Sequence, residues 1–147
     1  MEGAIMTTHT ITARTASVPR TAVLLVAAFA VAGLANAVIA LAAASAGASS
    51  SYGPLMPPVY LAFTALGIAG GYLGWRIVRR RSANPARLLR ILVPVALVLS
   101  WVPDVILGVL QFIPGTTLTG AVALGLMHAV VVAVGVPVYA RVAPVGA

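Results

Sequence analysis

Asp104 and His128 are the residues of this chain whose chemistry most needs an explanation. Asp104 is the only acidic side chain after Glu2, and it sits inside a long apolar run, 91–110. A carboxylate at the middle of a membrane helix costs roughly 2.5–3.5 kcal/mol, so one that is kept has, as a rule, a partner or a task. His128 lies in a second such run, 118–142. Imidazole is the side chain that changes charge near neutral pH. A carboxylate facing it can hold or relay one proton, which is what intramembrane acid and histidine residues do in transporters.

Three further polar residues belong with them. Helical rise is about 1.5 Å per residue, which puts Asp104 roughly 12 Å, His128 roughly 15 Å and Asn36 roughly 13–14 Å from the same end of their helices. Three polar residues on three helices therefore share one level. Ser100 lies one turn before Asp104, and Thr64 is roughly 9 Å deep by the same rise. The functional expectation is an outward-facing site of Asp104, His128 and Asn36, joined by Ser100 and Thr64, that binds or moves a proton or small solute. Two structural readings stand beside it. The polar residues can simply satisfy one another and lock the helices, or Asp104, just after Pro103, can cap a helix that restarts there.

Other chemistry is poorly provided for. Cysteine is absent, which removes disulfides, thiolate metal sites and thiol redox chemistry. No P-loop, dinucleotide fingerprint, HExxH or Gly-x-Ser-x-Gly motif occurs. One Asp and one His do not make a zinc site. They could perform acid–base chemistry, but no nucleophile accompanies them. No metal, no cofactor and no enzymatic activity are expected. His9 lies in a polar N-terminal stretch and reads as solvated.

The elements that position these residues follow from composition. The 147 residues are 61% hydrophobic and 7% charged, with mean hydropathy +1.08. Soluble domains carry about 25% charged residues, so this is one integral membrane domain. The basic residues are all arginine; with abundant Ala, Val and Gly they match the codon bias of a high-GC bacterial genome, and a bacterial inner membrane is the expected location. The charge flanks apolar segments, so the lipid bilayer is the expected partner and nucleic acid is not.

A spanning helix needs about 20 mostly apolar residues, and four segments qualify: about 21–45, 58–78, 85–112 and 118–142. The expected fold class is all-α, a four-helix transmembrane bundle, with a disordered tail at 1–20 and a short C-terminal tail at 143–147. Asn84-Pro85 reads as a cap followed by proline at the first helical position. Pro57-Pro58 opens the second helix in the same way, and Thr116 or Thr117 can cap the fourth. The first segment is longer than the roughly 7–15 residues of a signal-peptide core, so it reads as a retained span despite small residues near 42–48.

Arg14 and Arg20 precede the first helix. Arg76, Arg79, Arg80, Arg81, Arg87 and Arg90 surround the link between the second and third, and Arg141 ends the fourth. The loops 46–57 and 113–117 carry no charge. The positive-inside rule then places both termini in the cytoplasm, with the arginine triplet as a topology anchor that also meets lipid headgroups. Trp75, Tyr72 and Tyr139 near one face, and Tyr52, Tyr60 and Phe112 near the other, read as an aromatic belt. The loop 49–58 reads as a turn, with a lid or docking loop as the alternative.

Apolar burial does not drive helices together in lipid; close packing at small residues does. The second helix carries two overlapping pairs, Gly67/Gly71 and Gly70/Gly74. Packing within one chain is one use for them. A homo-oligomer, or another membrane protein bound through these faces, is the other, and this accessory-subunit role is the alternative to the proton or solute site. Pro94, Pro103 and Pro137 each remove a backbone bond to the carbonyl four residues earlier, where kinks are expected.

Several motifs together carry a resemblance. They are Asn36, Tyr52-Gly-Pro-Leu-Met-Pro-Pro58, the glycine-rich second helix ending in Trp75-Arg76, Asn84-Pro85-Ala-Arg87, Leu99-Ser-Trp-Val-Pro-Asp104 and Met127-His128. Over roughly 20–142 the chain resembles a family of small four-helix membrane proteins of high-GC Gram-positive bacteria, a domain of unknown function. The resemblance implies fold and location and brings no activity or substrate, so function rests on the site itself.

Overall fold

A computed structural model describes residues 16–145. Four helices form, α1 Val18–Ser45, α2 Pro57–Arg81, α3 Pro85–Leu110 and α4 Leu118–Val142, with a 3₁₀ turn at Gly53–Leu55; no strand occurs among the described residues. Each helix is long and apolar enough to cross a membrane, which makes the chain a multi-pass membrane protein. His9, Arg14 and most of the expected N-terminal tail lie outside the described residues, as do the last two positions.

Lipid offers no hydrogen bonds, so each segment must close its backbone bonds within itself. The ends are finished by local chemistry. Pro19 lies in the first turn of α1, which begins three residues before the limit read from sequence. α1 ends in a Schellman motif. Gly47, at φ 91°, donates to the Ala44 carbonyl, and Ala48 donates to Ala43. Asn84 Oδ1 accepts from the Arg87 amide at 3.1 Å, and Thr117 Oγ1 accepts from the Gly120 amide at 3.0 Å. Gln111 turns left-handed, at φ 49°, and stops α3 two residues before the expected limit. Arg79, Arg80 and Arg81 occupy the last turn of α2, where the helix dipole favours cations. α3 runs unbroken through Pro94 and Pro103. Asp104 therefore lies inside a continuous helix and is not the cap of a restarted one.

The helices alternate in direction. One end of the bundle, the arginine end, holds the start of α1, the α2–α3 link and the end of α4. The other, uncharged end holds the loops 46–56 and 111–117. α4 packs against all three other helices, most extensively against α1 and then α3. α1 also packs on α2, and α2 on α3, but α1 and α3 share no comparable interface.

Small residues set how closely α2 meets α4. A Cβ at Gly67 would stand 2.9 Å from Val131 Cγ1, and Cβ atoms at Gly71 and Gly135 would stand 2.8 and 2.6 Å from the Tyr139 hydroxyl oxygen. That space admits Tyr139, whose hydroxyl donates to the Ile68 carbonyl at 2.8 Å. Of the two glycine pairs, Gly67/Gly71 is thus used within the chain. Gly70 and Gly74 have nothing within 4 Å. Tyr139 belongs to a buried cluster at the arginine end with Trp75, Leu89, Val142 and Ala143. Trp75 Nε1 donates to the Ala143 carbonyl at 2.9 Å, and Arg76 lies 5.7 Å over the Tyr72 ring. Ala143 and Val145, read from sequence as part of a tail, pack on this cluster. Trp75, Tyr139, Tyr60 and Tyr52 are buried in protein, so of the six belt aromatics only Phe112 and Tyr72 keep substantial exposure.

The Tyr139 pocket yields a stability prediction. Gly135→Ala forces the ring to move and lowers stability by about 1–3 kcal/mol. Adding Tyr139→Phe, which removes the atom that the new methyl meets, recovers part of that loss. Gly70→Ala, in open space, is neutral. Unfolding of the purified protein in mixed micelles measures all three.

Candidate functional site

Asp104 projects from α3 six residues before its end at Leu110, and His128 projects from α4. The tight turn between these helices makes them antiparallel neighbours and brings His128 Nδ1 to 3.1 Å from Asp104 Oδ2. The same nitrogen lies 2.9 Å from the Leu124 carbonyl, one turn back on α4. A carbonyl only accepts, so Nδ1 must carry the hydrogen. The exchangeable positions of the pair are therefore His128 Nε2 and the Asp104 carboxylate. With Nδ1–H directed at Leu124, Asp104 Oδ2 is buried and receives no well-directed hydrogen bond. The two side chains also differ in access. The Asp104 side chain is 8% exposed and the imidazole 44%.

Tyr52 joins this site from the loop between α1 and α2. It is 1% exposed. Gly120 on α4 makes the room: a Cβ there would lie 2.9 Å from both Cδ1 and Cε1 of the ring. The Tyr52 hydroxyl has no hydrogen-bond partner. Burial, and then the charge of Asp104, raise its pKa above the ordinary value of 10.0. The Thr116 hydroxyl works weakly the other way, but it is committed to the Ile113 carbonyl at 2.6 Å. Tyr52 therefore stays protonated, a donor held within electrostatic reach of a carboxylate. Sequence reading placed it in the aromatic belt. The signal for its role lies in Gly120, on a different helix.

The other expected members go elsewhere. Asn36 Nδ2 donates to Thr64 Oγ1 at 2.8 Å, and Thr64 Oγ1 donates to the Tyr60 carbonyl at 2.7 Å. Both residues are buried, and this pair ties α1 to α2. Asn36 does not join Asp104 and His128; its side chain is turned to the α1–α2 interface, where Thr64 takes its amide. Ser100 donates to the Leu97 carbonyl at 2.7 Å, within its own helix. The five residues thus form two pairs on different helix interfaces and one local back-bond. Asn36 Oδ1, Tyr52 Oη and Asp104 Oδ2 are the buried side-chain atoms without a partner among the described residues.

Beside Asp104 a groove of about 350 Å³ runs along the α3–α4 interface. Trp101, also missed by sequence reading, stands at its inner end with its Nε1 donating to the Gly125 carbonyl at 2.9 Å. The groove opens on the flank of the bundle, because its rim is made of exposed residues such as Val105, Val109 and Val122. The arginines Arg76, Arg79, Arg80, Arg81, Arg87 and Arg90 lie at the opposite end and take no part. Among the described residues no three His, Asp or Glu side chains converge; a metal ion would find two ligands here, short of the usual four.

No family model matches the chain, and no curated protein or solved structure matches it.

The Asn36–Thr64 pair behaves as a latch. Thr64→Val leaves the Asn36 amide unpaired and destabilises the bundle by about 0.6–1.7 kcal/mol, the range for hydrogen bonds between membrane helices. Asn36→Leu in that background restores part of it. Unfolding in mixed micelles is the measurement; a fully additive pair of losses would show that the two side chains do not interact.

Proposed function

We propose that the protein is a non-enzymatic membrane protein that binds and passes a proton at Asp104 and His128, in exchange with a small solute. The observation that carries this reading is the 3.1 Å approach of Nδ1 to a buried carboxylate oxygen that has no other partner. The pair is neutral overall with one added proton, whether that proton sits on Asp104 or on Nε2. The bilayer disfavours net charge, so the added proton has a defined home, and its loss leaves a single buried negative charge.

The described arginines lie at one end of the bundle, and the positive-inside rule assigns that end to the cytoplasm. Both termini are then cytoplasmic and the Tyr52 loop faces out. Tyr52 belongs to that loop, within electrostatic reach of Asp104, and serves as the outer gate. The location is the inner membrane of a bacterium. The resemblance to small four-helix proteins of high-GC Gram-positive bacteria agrees with this placement and adds no activity.

Proteoliposomes under an imposed pH gradient provide the test. The native protein raises proton uptake above that of empty vesicles, and Asp104→Asn returns it to that baseline while the protein remains monodisperse and helical. Asn36→Leu leaves uptake intact. Undiminished uptake in Asp104→Asn sinks the proposal.

The bare Gly70/Gly74 face favours a second reading, an accessory or self-associating subunit. The absence of cysteine allows a clean test with Gly70→Cys or Gly74→Cys. Crosslinking in native membranes to one defined protein, or to a second copy, supports association, whereas labelling of lipid alone rejects it.

A further inference from the structure

The groove beside Asp104 has a chemistry that selects its occupant. Its floor is formed by Asp104 and Ala121, both 6% exposed. Its rim is apolar and faces the hydrocarbon. The volume of about 350 Å³ falls within the range of small-molecule sites, about 300–1,000 Å³. A hydrophilic solute gains nothing on such walls and has no aqueous route through this flank. An anion meets a carboxylate. A lipid tail fills the space but leaves the charge of Asp104 uncompensated. A cation that carries its own apolar bulk meets every condition. It partitions into the bilayer, enters sideways and sets its charge against the carboxylate. The Trp101 indole at the inner end, held by its bond to the Gly125 carbonyl, adds an aromatic neighbour that attracts cations.

We propose that the α3–α4 groove is a binding site for lipophilic cations, such as aromatic onium ions and hydrophobic amines, entered from the bilayer with Asp104 as counter-ion. This rests on the proton reading above and names the solute that the site exchanges for its proton. The exchange balances simply. The cation enters, the proton of the Asp104–His128 pair leaves to water, and the net charge of the site returns to zero. Two positive charges do not share one carboxylate in this setting, so cation and proton compete. His128 from α4 and Tyr52 from the loop are the titratable groups that act with Asp104; α2, which also packs on α3, contributes none. Cation affinity therefore rises with pH as the pair loses its proton.

Tetraphenylphosphonium is the probe. Calorimetric titration of the purified full chain in detergent, repeated in buffers of different ionisation enthalpy, reads binding and proton release together. The expected result is saturable binding with close to one proton released per cation, weakening about tenfold per pH unit while the pair is protonated. Asp104→Asn loses binding by tenfold or more. Val122→Trp fills the groove from an exposed rim position, which keeps folding intact, and also loses binding. Binding that survives in Asp104→Asn, or no saturable binding by the native chain, overturns the inference. An infrared titration of the Asp104 carboxyl band without the probe separates the two proposals. A band that titrates in a protein that binds no cation removes the lipophilic-cation site and leaves the proton reading. A band that never titrates removes both.

Discussion

Helices in a bilayer gain little by hiding apolar side chains from one another, because the lipid is equally apolar. What holds this bundle together is the close approach of helices where side chains are missing or small, and α4 is where that approach is concentrated. Gly67 and Gly71 of α2 let it come near Val131 and Tyr139, Gly135 lets Tyr139 turn inward, and Gly108 of α3 lies against Ala121. Because α4 touches every other helix, its small positions fix the geometry of all the rest, including the separation of α3 and α4 at the site.

Polar contacts between helices then choose among the packings that close approach would permit. They join three pairs of helices, α2 to α4 twice. Tyr139 reaches the Ile68 carbonyl, Asn36 reaches Thr64, Trp101 reaches the Gly125 carbonyl, and Trp75 reaches the Ala143 carbonyl. Three of the four end on backbone carbonyls, which every helix offers at every turn. In such a contact the donor has one good position, while the acceptor requires no special residue. The Asn36–Thr64 pair is the exception and needs both side chains.

The Asp104–His128 contact is incompletely satisfied, as Asn36 Oδ1 is in the Asn36–Thr64 pair, but here the open group is a carboxylate. The Leu124 carbonyl competes for the single hydrogen on Nδ1, and the carboxylate is left with an open valence. A contact that served only to join α3 to α4 would be expected to close, as the three that end on backbone carbonyls do. Two devices surround the open valence: a tyrosine hydroxyl from the loop, seated by Gly120, and a groove whose walls belong to lipid-facing positions. Strong packing at the arginine end and open polar valences toward the uncharged end divide the molecule into an anchor and a site.

Much of the fold was legible in the residues themselves. Four spans, their proline and Asn84 starts and a threonine cap on α4 follow from desolvation and from local backbone chemistry, which act over a few residues and need no knowledge of neighbours. The Asp104–His128 pairing was also legible, because a short turn makes consecutive helices adjacent. The sequence alone did not determine the rest of the site. Depth along a helix is readable at about 1.5 Å per residue, but depth does not say which helices touch. The residue count puts Asn36 near the level of Asp104, yet Asn36 pairs with Thr64, and α1 shares no comparable interface with α3. Tyr52 reads as a belt aromatic until Gly120 supplies the space that turns it inward. Which of the two glycine faces would be used, and that the groove opens on lipid, depended in the same way on where distant segments meet. Local chemistry is written residue by residue; adjacency is decided only when all four helices compete for the same small surfaces.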